Sequence, residues 1–267
     1  MSSQSRPLAL VTGASAGIGQ SYAEQLARAG HDLIVVARRR DRLEALAARL
    51  RAAHGAAVEV LVADLGTTAG VDAVAARAAT SPLALVVNNA GFGGYRRFVE
   101  LEPAVADQLI SIHIRAIVQV TRAALPGMVA RRAGGVINVA SLLALSGSAP
   151  PGPFWPQRAV YAGAKAFLLT FTQILADELS GTGVRAQVCL PGIVKTEFHE
   201  VQGIDTSKMP PRMSPDDVAR ASLAALAQGE VVCVPALDDA GALQKIAEAQ
   251  RAVLALATTP TPSARYR

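Results

Sequence analysis

Short apolar runs recur along the chain at intervals that leave room for a helix between them. Neither face of a run alternates with polar residues, which is typical of strands buried on both sides in a parallel sheet. Seven runs predict strands at residues 8–11, 33–37, 58–62, 83–87, 136–139, 184–190 and 231–234. Because segments rich in Ala, Leu and Arg at helical spacing separate them, the pattern predicts an α/β fold with a doubly wound parallel sheet flanked by helices.

Two longer helices are predicted, at residues 103–130 and 161–179. Pro126 is expected to bend or interrupt the first of them. Residues 146–156 contain four prolines and therefore predict a loop. A last helix is predicted at residues 240–257, followed by a tail with two prolines that we expect at the surface.

Length and composition favour one soluble domain spanning residues 1–267, since 267 residues suffice for one sizeable α/β core. The net charge is +5, but the arginines are spread through the predicted helices without an aromatic cluster, so nucleic acid is not an expected partner. No uninterrupted apolar stretch approaches the roughly 18 residues of a membrane span, and no secretory signal precedes the first strand. We therefore expect a cytoplasmic protein with no membrane partner.

The two cysteines carry no signal of metal or redox chemistry. Cys189 and Cys233 both fall in short apolar runs, without the spacing of a metal site or a redox motif. The sequence therefore predicts two buried thiols and no metal.

A glycine-rich run, residues 12–19, comes directly after the first predicted strand and opens the first helix. Gly13 permits a tight turn, Gly17 lets backbone approach a pyrophosphate, and Gly19 lets helix and strand pack closely. The helix N-terminus favours an anion. The alternative is a tight connection without a ligand, but three glycines in this context favour a phosphate-binding turn.

This glycine spacing resembles the Thr-Gly-x-x-x-Gly-x-Gly motif of the short-chain dehydrogenases/reductases. Three further motifs follow in the order of that family: Asn88-Asn89-Ala90-Gly91, Tyr161-x-x-x-Lys165, and Pro191-Gly192 followed by Thr196. Together they cover residues 8–200, so the chain is identified as a member of the family. The resemblance implies a Rossmann-type fold and an oxidoreductase that uses a nicotinamide cofactor.

The resemblance implies roles for three side chains: Ser141 hydrogen-bonds the substrate carbonyl, Tyr161 transfers the proton, and Lys165 also holds the nicotinamide ribose. A tyrosine with a pKa near 10 is reluctant to lose its proton near neutrality. Because Tyr161 and Lys165 are one helical turn apart, we expect the ammonium to lower the pKa of the phenol. Ser146 or Ser148 would replace Ser141 only if the loop folds back unusually.

The end of the second predicted strand indicates the cofactor. NAD enzymes need a carboxylate there for the ribose hydroxyls, whereas NADP enzymes need positive charge for the 2′-phosphate. Here Ala37 is followed by Arg38, Arg39 and Arg40, which favours NADP(H). We expect Arg38 to make the contact, and the other reading is an exposed basic start to the next helix.

The remaining cofactor contacts follow from the resemblance. Asp64 and Leu65 are expected beside the adenine, and residues 88–91 at the adenosine end. The expected cofactor-binding residues are Gly13, Ser15, Gly17, Ile18, Gly19, Arg38, Arg39, Asp64, Leu65, Asn88, Ala90, Gly91, Tyr161, Lys165, Pro191, Gly192, Ile193, Val194 and Thr196.

One departure from the family pattern concerns the proton chemistry. Many members have an asparagine in the fourth-segment helix, where it maintains a kink and a water that relays protons to the lysine. His113 occupies that place here. A backbone carbonyl survives the substitution, and an imidazole with a pKa near 6.5 could itself join the relay as a further catalytic group. The alternative is that His113 only packs between helices.

Two variable segments are candidates for the substrate pocket, near residues 142–160 and 195–214. The first carries Trp155, the only tryptophan, which either lines the pocket or anchors the loop at the surface. The second matches the family's mobile substrate lid, and its candidate lining residues are Phe198, His199, Met209 and Pro210. Together they suggest an apolar or aromatic substrate.

The sequence thus predicts an NADP(H)-dependent enzyme that interconverts a ketone or aldehyde and an alcohol, in either direction. The alternative is a cofactor-binding sensor or scaffold with weakened catalysis, for which His113 is the motive. A sugar-nucleotide epimerase shares the Tyr-x-x-x-Lys pair but needs a longer substrate domain than the helix and tail of residues 239–267. Family resemblance further implies a homodimer or homotetramer built on helices 103–130 and 161–179.

Overall fold

The computed structural model describes residues 6–148, 158–257 and 260–266. Two compact units divide the chain, a larger one that ends at Pro235 and a smaller one that begins at Ala236. The expectation of a single domain over residues 1–267 stays a prediction.

The larger unit contains a sheet of seven strands, all of them parallel, in the order β3-β2-β1-β4-β5-β6-β7. Their bounds are β1 Leu8–Thr12, β2 Asp32–Ala37, β3 Val58–Val62, β4 Leu83–Asn88, β5 Gly134–Val139, β6 Val184–Cys189 and β7 Val232–Cys233. Each lies on one of the seven apolar runs, so the predicted α/β fold with a seven-stranded parallel sheet is confirmed.

The helices are α1 Gly17–Arg28, α2 Arg40–His54, α3 Thr68–Ala79, α4 Pro103–Ile110, α5 Ala116–Arg131, α6 Ala159–Glu178 and α7 Pro215–Gln228, with α8 Gly241–Leu256 in the smaller unit. Residues of α1, α2 and α7 pack with the sheet in one hydrophobic cluster, and residues of α3, α5 and α6 in another. The sheet is therefore covered on both faces, as the doubly wound pattern predicted.

The predicted helix at residues 103–130 is interrupted at a different place than expected. Pro126 lies inside α5 on its exposed side and does not end it. The interruption is instead a π-helical turn, Ser111–Arg115, between α4 and α5. Such turns insert an extra residue into the helical ladder and often mark functional sites. Here the turn carries His113, which is 1% exposed.

Helix α6 is the long helix predicted around Tyr161, and it begins two residues earlier than expected. By length and composition alone it is also apolar enough to cross a membrane. Its buried residues Leu168 and Leu175 pack in the clusters that contain β6. A core helix of an α/β fold accounts for this composition.

Other expectations concern a loop and the two thiols. Residues 142–148 form a 3-10 helix, Leu142–Ser148, so residues 146–148 of the predicted loop are helical, and residues 149–156 lie outside the described residues. Cys189 and Cys233 are free, buried and opposite each other in the β6–β7 pairing, which confirms the predicted buried thiols.

Candidate active site

The candidate site lies at the carboxyl ends of the central strands. The strand order reverses between β1 and β4, which places a crevice outside the ends of these two strands. The glycine-rich run follows β1, residues 88–91 follow β4, and Ser141 comes two residues after β5. The fold therefore brings the predicted motifs to one edge of the sheet.

Hydrogen bonds join the glycine-rich turn to the segment after β4. Thr12 Oγ1 accepts from the backbone nitrogens of Asn89 (2.9 Å) and Ala90 (3.1 Å). The side-chain nitrogen of Asn89, Nδ2, donates to the Thr12 carbonyl at 3.0 Å. A Cβ added to Gly13 would lie 2.7 Å from that amide nitrogen. Asn89, a member of the 88–91 motif that was not among the expected cofactor contacts, thus fixes the turn.

The turn has the properties of a pyrophosphate cradle. Gly13 and Gly17 have φ angles of +69° and +56°, which favour glycine. Helix α1 begins after Ala16 without a side-chain cap and without an acidic residue in its first turn. Its first amide groups are therefore left to an external acceptor such as a phosphate. The residues present fit the dinucleotide that the sequence predicted.

Asn88 has a different place from the one expected. Its side chain is 2% exposed, and its amide nitrogen donates to Thr121 Oγ1 (3.0 Å) and to Asn138 Oδ1 (2.9 Å). Both amide hydrogens are thereby used inside the protein. Asn88 links β4 to β5 and α5, so its amide is not free to bind cofactor.

The expected phosphate contact also changes. Arg38 is exposed, whereas Arg39 turns back toward the glycine-rich turn, and its Nε and Nη2 donate to Ser15 Oγ at 3.2 and 2.9 Å. Consecutive residues leaving a strand point in opposite directions, so only one of them reaches the turn. The structure places Arg39, not Arg38, where positive charge adjoins the cradle.

The loop after β3 lies beside the same end. Ala63 donates from its backbone nitrogen to the Ala37 carbonyl at 3.0 Å, which holds Asp64 and Leu65 near the end of β2. Asp64 is exposed, while Leu65 is 5% exposed and packs in the core. Asp64 is therefore the more accessible of the two predicted adenine neighbours.

Ser141, Tyr161 and Lys165 meet at the carboxyl end of β5. Lys165 Nζ donates to the Val139 carbonyl at 2.9 Å and lies 5.5 Å from the centre of the Tyr161 ring. Tyr161 is 6% exposed and Lys165 is 3% exposed. Ser146 instead donates to the Leu143 carbonyl, so Ser141 is the serine of this cluster.

The pKa of Tyr161 departs from the expectation. Burial raises it well above 10, the neighbouring Tyr95 raises it further, and the hydrogen bond with Ser141 lowers it. Burial also lowers the pKa of Lys165 to about 7. The expected lowering of the Tyr161 pKa by a charged Lys165 is not found, because desolvation disfavours both the phenolate and the ammonium.

His113 packs against this cluster. Its ring centre lies 5.2 Å from that of Tyr161, edge to face, and Nε2 donates to the Phe92 carbonyl at 2.8 Å. This bond places the proton on Nε2, and Nδ1 has no partner among the residues the structure describes. Burial, then Lys165, lowers the pKa of His113 well below 6.5. The neutral imidazole presents an acceptor, and the sequence-based pKa near 6.5 is wrong.

Gly91 is coupled to this histidine. A Cβ added to Gly91 would lie 2.3 Å from Cε1 of His113. The last glycine of the segment after β4 therefore makes room for the imidazole, which is bulkier than the asparagine that the family pattern predicts here.

The rings of Tyr95 and Phe198 pack beside Tyr161 and form what we call the aromatic wall. The ring centres of Tyr95 and Phe198 lie 5.4 Å and 6.2 Å from that of Tyr161, and 6.3 Å from each other. Phe198 was among the predicted pocket residues, and Tyr95 was missed. Its signal was present in Phe92-Gly93-Gly94-Tyr95, directly after the motif at residues 88–91.

Comparison with known proteins identifies the family. The family model described as short chain dehydrogenase matches residues 7–205. A short chain dehydrogenase of Pseudocercospora fijiensis is 34% identical over 197 residues, 71% of this chain. The chain belongs to the short-chain dehydrogenase family. It spans about 60% of the length of the curated relatives it matches first.

Two solved structures share the fold of this dehydrogenase over nearly its whole length. A short-chain dehydrogenase from Sphingobium yanoikuyae in complex with NADPH is 34% identical, with a TM-score of 0.92, and covers 98% of this chain and 100% of that one. The bulky-bulky ketone specific alcohol dehydrogenase from Comamonas testosteroni is 28% identical, with a TM-score of 0.87, and covers 97% of this chain and 98% of that one.

The family match ends inside the substrate segment, residues 195–214. At its base, Lys195 donates from its backbone nitrogen to the Met213 carbonyl at 2.9 Å, and Met213 donates to the Ile193 carbonyl at 3.1 Å. Thr196 places its methyl group against the glycine-rich turn, 2.9 Å from a Cβ added to Gly17. Thr196, the last residue of the Pro191-Gly192 motif, thus adjoins the cradle. Trp155 lies outside the described residues.

Proposed function

We propose that this short-chain dehydrogenase interconverts a ketone or aldehyde and the corresponding alcohol with NADP(H). The cofactor, when bound, supplies or accepts the hydride. The chain's own residues bind and orient the two reactants and hold the proton that the carbonyl oxygen gains. The observation that carries the proposal is the meeting of Ser141, Tyr161 and Lys165 beside the phosphate cradle.

Tyr161 is suited to donate this proton. The hydroxyl keeps its proton at neutral pH and can give it to a developing alkoxide, because an alkoxide is a stronger base than a phenolate. The raised pKa makes this transfer harder and the reverse step, proton uptake by the phenolate, easier. Ser141, which hydrogen-bonds the same hydroxyl, is placed to hold the carbonyl oxygen. Because the pKa of Lys165 is about 7, both its protonated and its neutral form are populated at neutral pH, so it is able to carry or pass on a proton.

The preference for NADP(H) rests on the charge beside the cradle. Arg39 donates hydrogen bonds to Ser15 Oγ at the end of β2, where an NAD enzyme would need a carboxylate. A guanidinium and a hydroxyl suit a phosphate dianion. The NADPH complex of the Sphingobium relative supports the same choice.

The substrate class follows from the aromatic wall. Tyr95 and Phe198 flank Tyr161 with ring faces and edges, which favour apolar or aromatic groups next to the carbonyl. The specificity of the Comamonas relative for bulky-bulky ketones supports a ketone with a large group on each side. We therefore propose a bulky, apolar ketone rather than a small sugar.

A carbonyl panel followed by the absorbance of the reduced cofactor tests the proposal. We expect turnover of aryl and branched ketones with NADPH, little turnover of small sugars, and NADPH binding at least about tenfold tighter than NADH. Tight NADPH binding without turnover on any carbonyl or alcohol would favour the second candidate, a cofactor sensor with weakened catalysis, which the substitution at His113 motivates. Equal affinity for the two cofactors would contradict the assignment of NADP(H).

A further inference from the structure

Glu197 follows Thr196 in the substrate segment, and its side chain reaches the beginning of helix α2. One carboxylate oxygen pairs with Arg39 Nη1 at 2.5 Å, and the other accepts from Arg42 Nη1 at 2.8 Å. Each oxygen thus has its own arginine. We call Arg39, Arg42 and Glu197 the arginine–glutamate cluster.

The cluster lies beside the phosphate cradle. Arg39 donates through Nε and Nη2 to Ser15 in the glycine-rich turn, and through Nη1 to Glu197. Thr196, the neighbour of Glu197, adjoins Gly17 of the same turn. The substrate segment is therefore held against the cofactor cleft at two successive residues.

A 2′-phosphate that binds Arg39 has to share the guanidinium with these partners. The Ser15 hydroxyl accepts from Arg39 and can at the same time donate to a phosphate oxygen. The Glu197 carboxylate has no hydrogen to donate and carries a negative charge, which repels the dianion. Of the two partners of Arg39, only Glu197 is therefore incompatible with the phosphate.

The carboxylate is charged at neutral pH. Burial raises the pKa of Glu197, but the hydrogen bonds from Arg42 and Arg39 outweigh this effect and lower it. Its side chain is 32% exposed, and those of Arg39 and Arg42 are 39% and 46% exposed. The ion pairs are therefore partly hydrated, which makes them weak enough to exchange with a phosphate.

We propose that Glu197 is a specificity-determining residue that occupies the arginines of the 2′-phosphate site and is displaced from them by NADP(H). This inference rests on the proposed use of NADP(H). Displacement of Glu197 detaches the substrate segment from α2, so occupation of the adenosine end is coupled to the segment that carries Phe198. NAD(H), which lacks the 2′-phosphate, leaves the arginine–glutamate cluster in place.

The binding test uses fragments without a nicotinamide, adenosine 2′,5′-bisphosphate and adenosine 5′-monophosphate, measured by calorimetry. Glu197→Gln removes the competing charge and keeps the side-chain size. We expect it to bind the bisphosphate about fivefold more tightly than the unsubstituted protein, with the affinity for the monophosphate changed less than about twofold. The matched control is Glu200→Gln, an exposed glutamate of the same segment, which should change neither affinity.

Hydrogen exchange provides a readout of the segment itself. The backbone nitrogen of Val201 donates to the Glu197 carbonyl at 3.0 Å, so its amide reports on this part of the segment. We expect the bisphosphate to speed exchange at residues 198–203 of the unsubstituted protein severalfold, and the monophosphate to leave it unchanged. In Glu197→Gln the exchange should already be fast without a ligand.

The outcomes separate this inference from the proposed function. If the unsubstituted protein prefers the bisphosphate but Glu197→Gln binds it no more tightly, the inference is overturned and the cofactor assignment stands. Exchange that does not respond to the bisphosphate overturns the inference as well. If the unsubstituted protein has no preference for the bisphosphate, the assignment of NADP(H) fails and the inference fails with it.

Discussion

The two ends of the candidate site differ in how far their charged and titratable side chains are buried. At the proton-transfer end, Tyr161, Lys165 and His113 are 6%, 3% and 1% exposed. At the adenosine end, the side chains of Arg39 and Glu197 are 39% and 32% exposed and pair with each other. Burial therefore governs protonation at the first end, and partly hydrated charge pairs govern binding at the second.

This difference predicts different costs of substitution at the two ends. A buried group that changes its charge alters both chemistry and stability, because desolvation of an ion costs several kcal/mol. A surface ion pair contributes about 0–1 kcal/mol and mainly affects affinity. Substitutions at the proton-transfer end should thus abolish turnover or shift stability, whereas those at the adenosine end should change cofactor preference.

The largest effect is expected for Tyr161→Phe. Removing the hydroxyl removes the proton donor while the ring keeps its contacts with Tyr95 and Phe198. Turnover should fall about 10³-fold, with cofactor affinity changed less than about threefold. Absorbance of the reduced cofactor measures the first, and its fluorescence measures the second. Tyr266→Phe, at a tyrosine that is 73% exposed, is the control; substantial turnover by Tyr161→Phe would remove the basis of the proposed chemistry.

The second effect concerns stability and pH. Burial lowers the pKa of Lys165 from 10.5 to about 7. Between these values the unfolded chain binds more protons than the folded one, so stability should rise as pH increases from 7 toward 10. Lys165→Met keeps the bulk without the charge, so it should remove this rise. Relief of the desolvation, on the order of 4 kcal/mol at pH 7, is partly offset by loss of the hydrogen bond to the Val139 carbonyl, so we expect a net stabilisation on the order of 1–3 kcal/mol.

Thermal unfolding of both proteins between pH 7 and pH 9.5 measures this contribution of Lys165. The raised pKa of Tyr161 acts in the opposite direction, but only above its ordinary value of 10. Lys245→Met, at an exposed lysine of α8, should leave the pH dependence unchanged. The same rise in the unsubstituted protein and in Lys165→Met would show that burial of Lys165 is not its source.

The strands could be predicted because their signal is local, whereas Ser141, Tyr161 and Lys165 were indicated by the resemblance to the family. Buried parallel strands are continuous apolar runs, and the Tyr161–Lys165 pair is one helical turn by counting. The environment of these groups could not be predicted, because burial depends on what packs over them. The sequence shows Lys165 beside Tyr161, but it does not show that desolvation outweighs their attraction.

The departures from expectation at the adenosine end have a different physical origin. Arg38 and Arg39 are neighbours in a turn, and which one faces the cradle depends on backbone direction at the exit from β2. Glu197 lies more than 150 positions from both in the sequence, so its pairing with Arg39 has no local signal. The expected cofactor contacts included Asn88 and omitted Asn89 for the same reason, because the backbone decides that the side chain of Asn88 faces inward and that of Asn89 faces the turn.

The third prediction sharpens the contrast at the adenosine end. Arg39→Ala should weaken NADPH binding about tenfold and NADH binding less than about twofold, because it removes the guanidinium that Ser15 positions. Arg38→Ala, at the exposed neighbour, is the matched control and should weaken NADPH binding less than about threefold. Fluorescence titration measures both. A larger effect of Arg38→Ala than of Arg39→Ala would show that Arg38 makes the phosphate contact, as the sequence predicted.

The smallest effect is expected for His113→Asn. Since the pKa of His113 lies well below 6.5, the imidazole is neutral between pH 6 and pH 8 and should contribute no ionisation to the rate there. An asparagine amide can also donate to the Phe92 carbonyl, so we expect turnover within about threefold and an unshifted pH–rate profile. A shift of that profile would show that the imidazole itself exchanges protons with its neighbours.

Stability in acid gives a second readout for His113. The folded protein excludes a proton that the unfolded chain binds below pH 6.5, so stability should fall as pH decreases through that range. His113→Asn should lose less stability than the unsubstituted protein between pH 6.5 and pH 5, and His54→Asn, at the end of α2, should lose as much as the unsubstituted protein. If His113→Asn is no less sensitive to acid, the folded protein binds the proton of His113 as readily as the unfolded chain does. The proton-transfer end would then hold a charge that its burial should exclude.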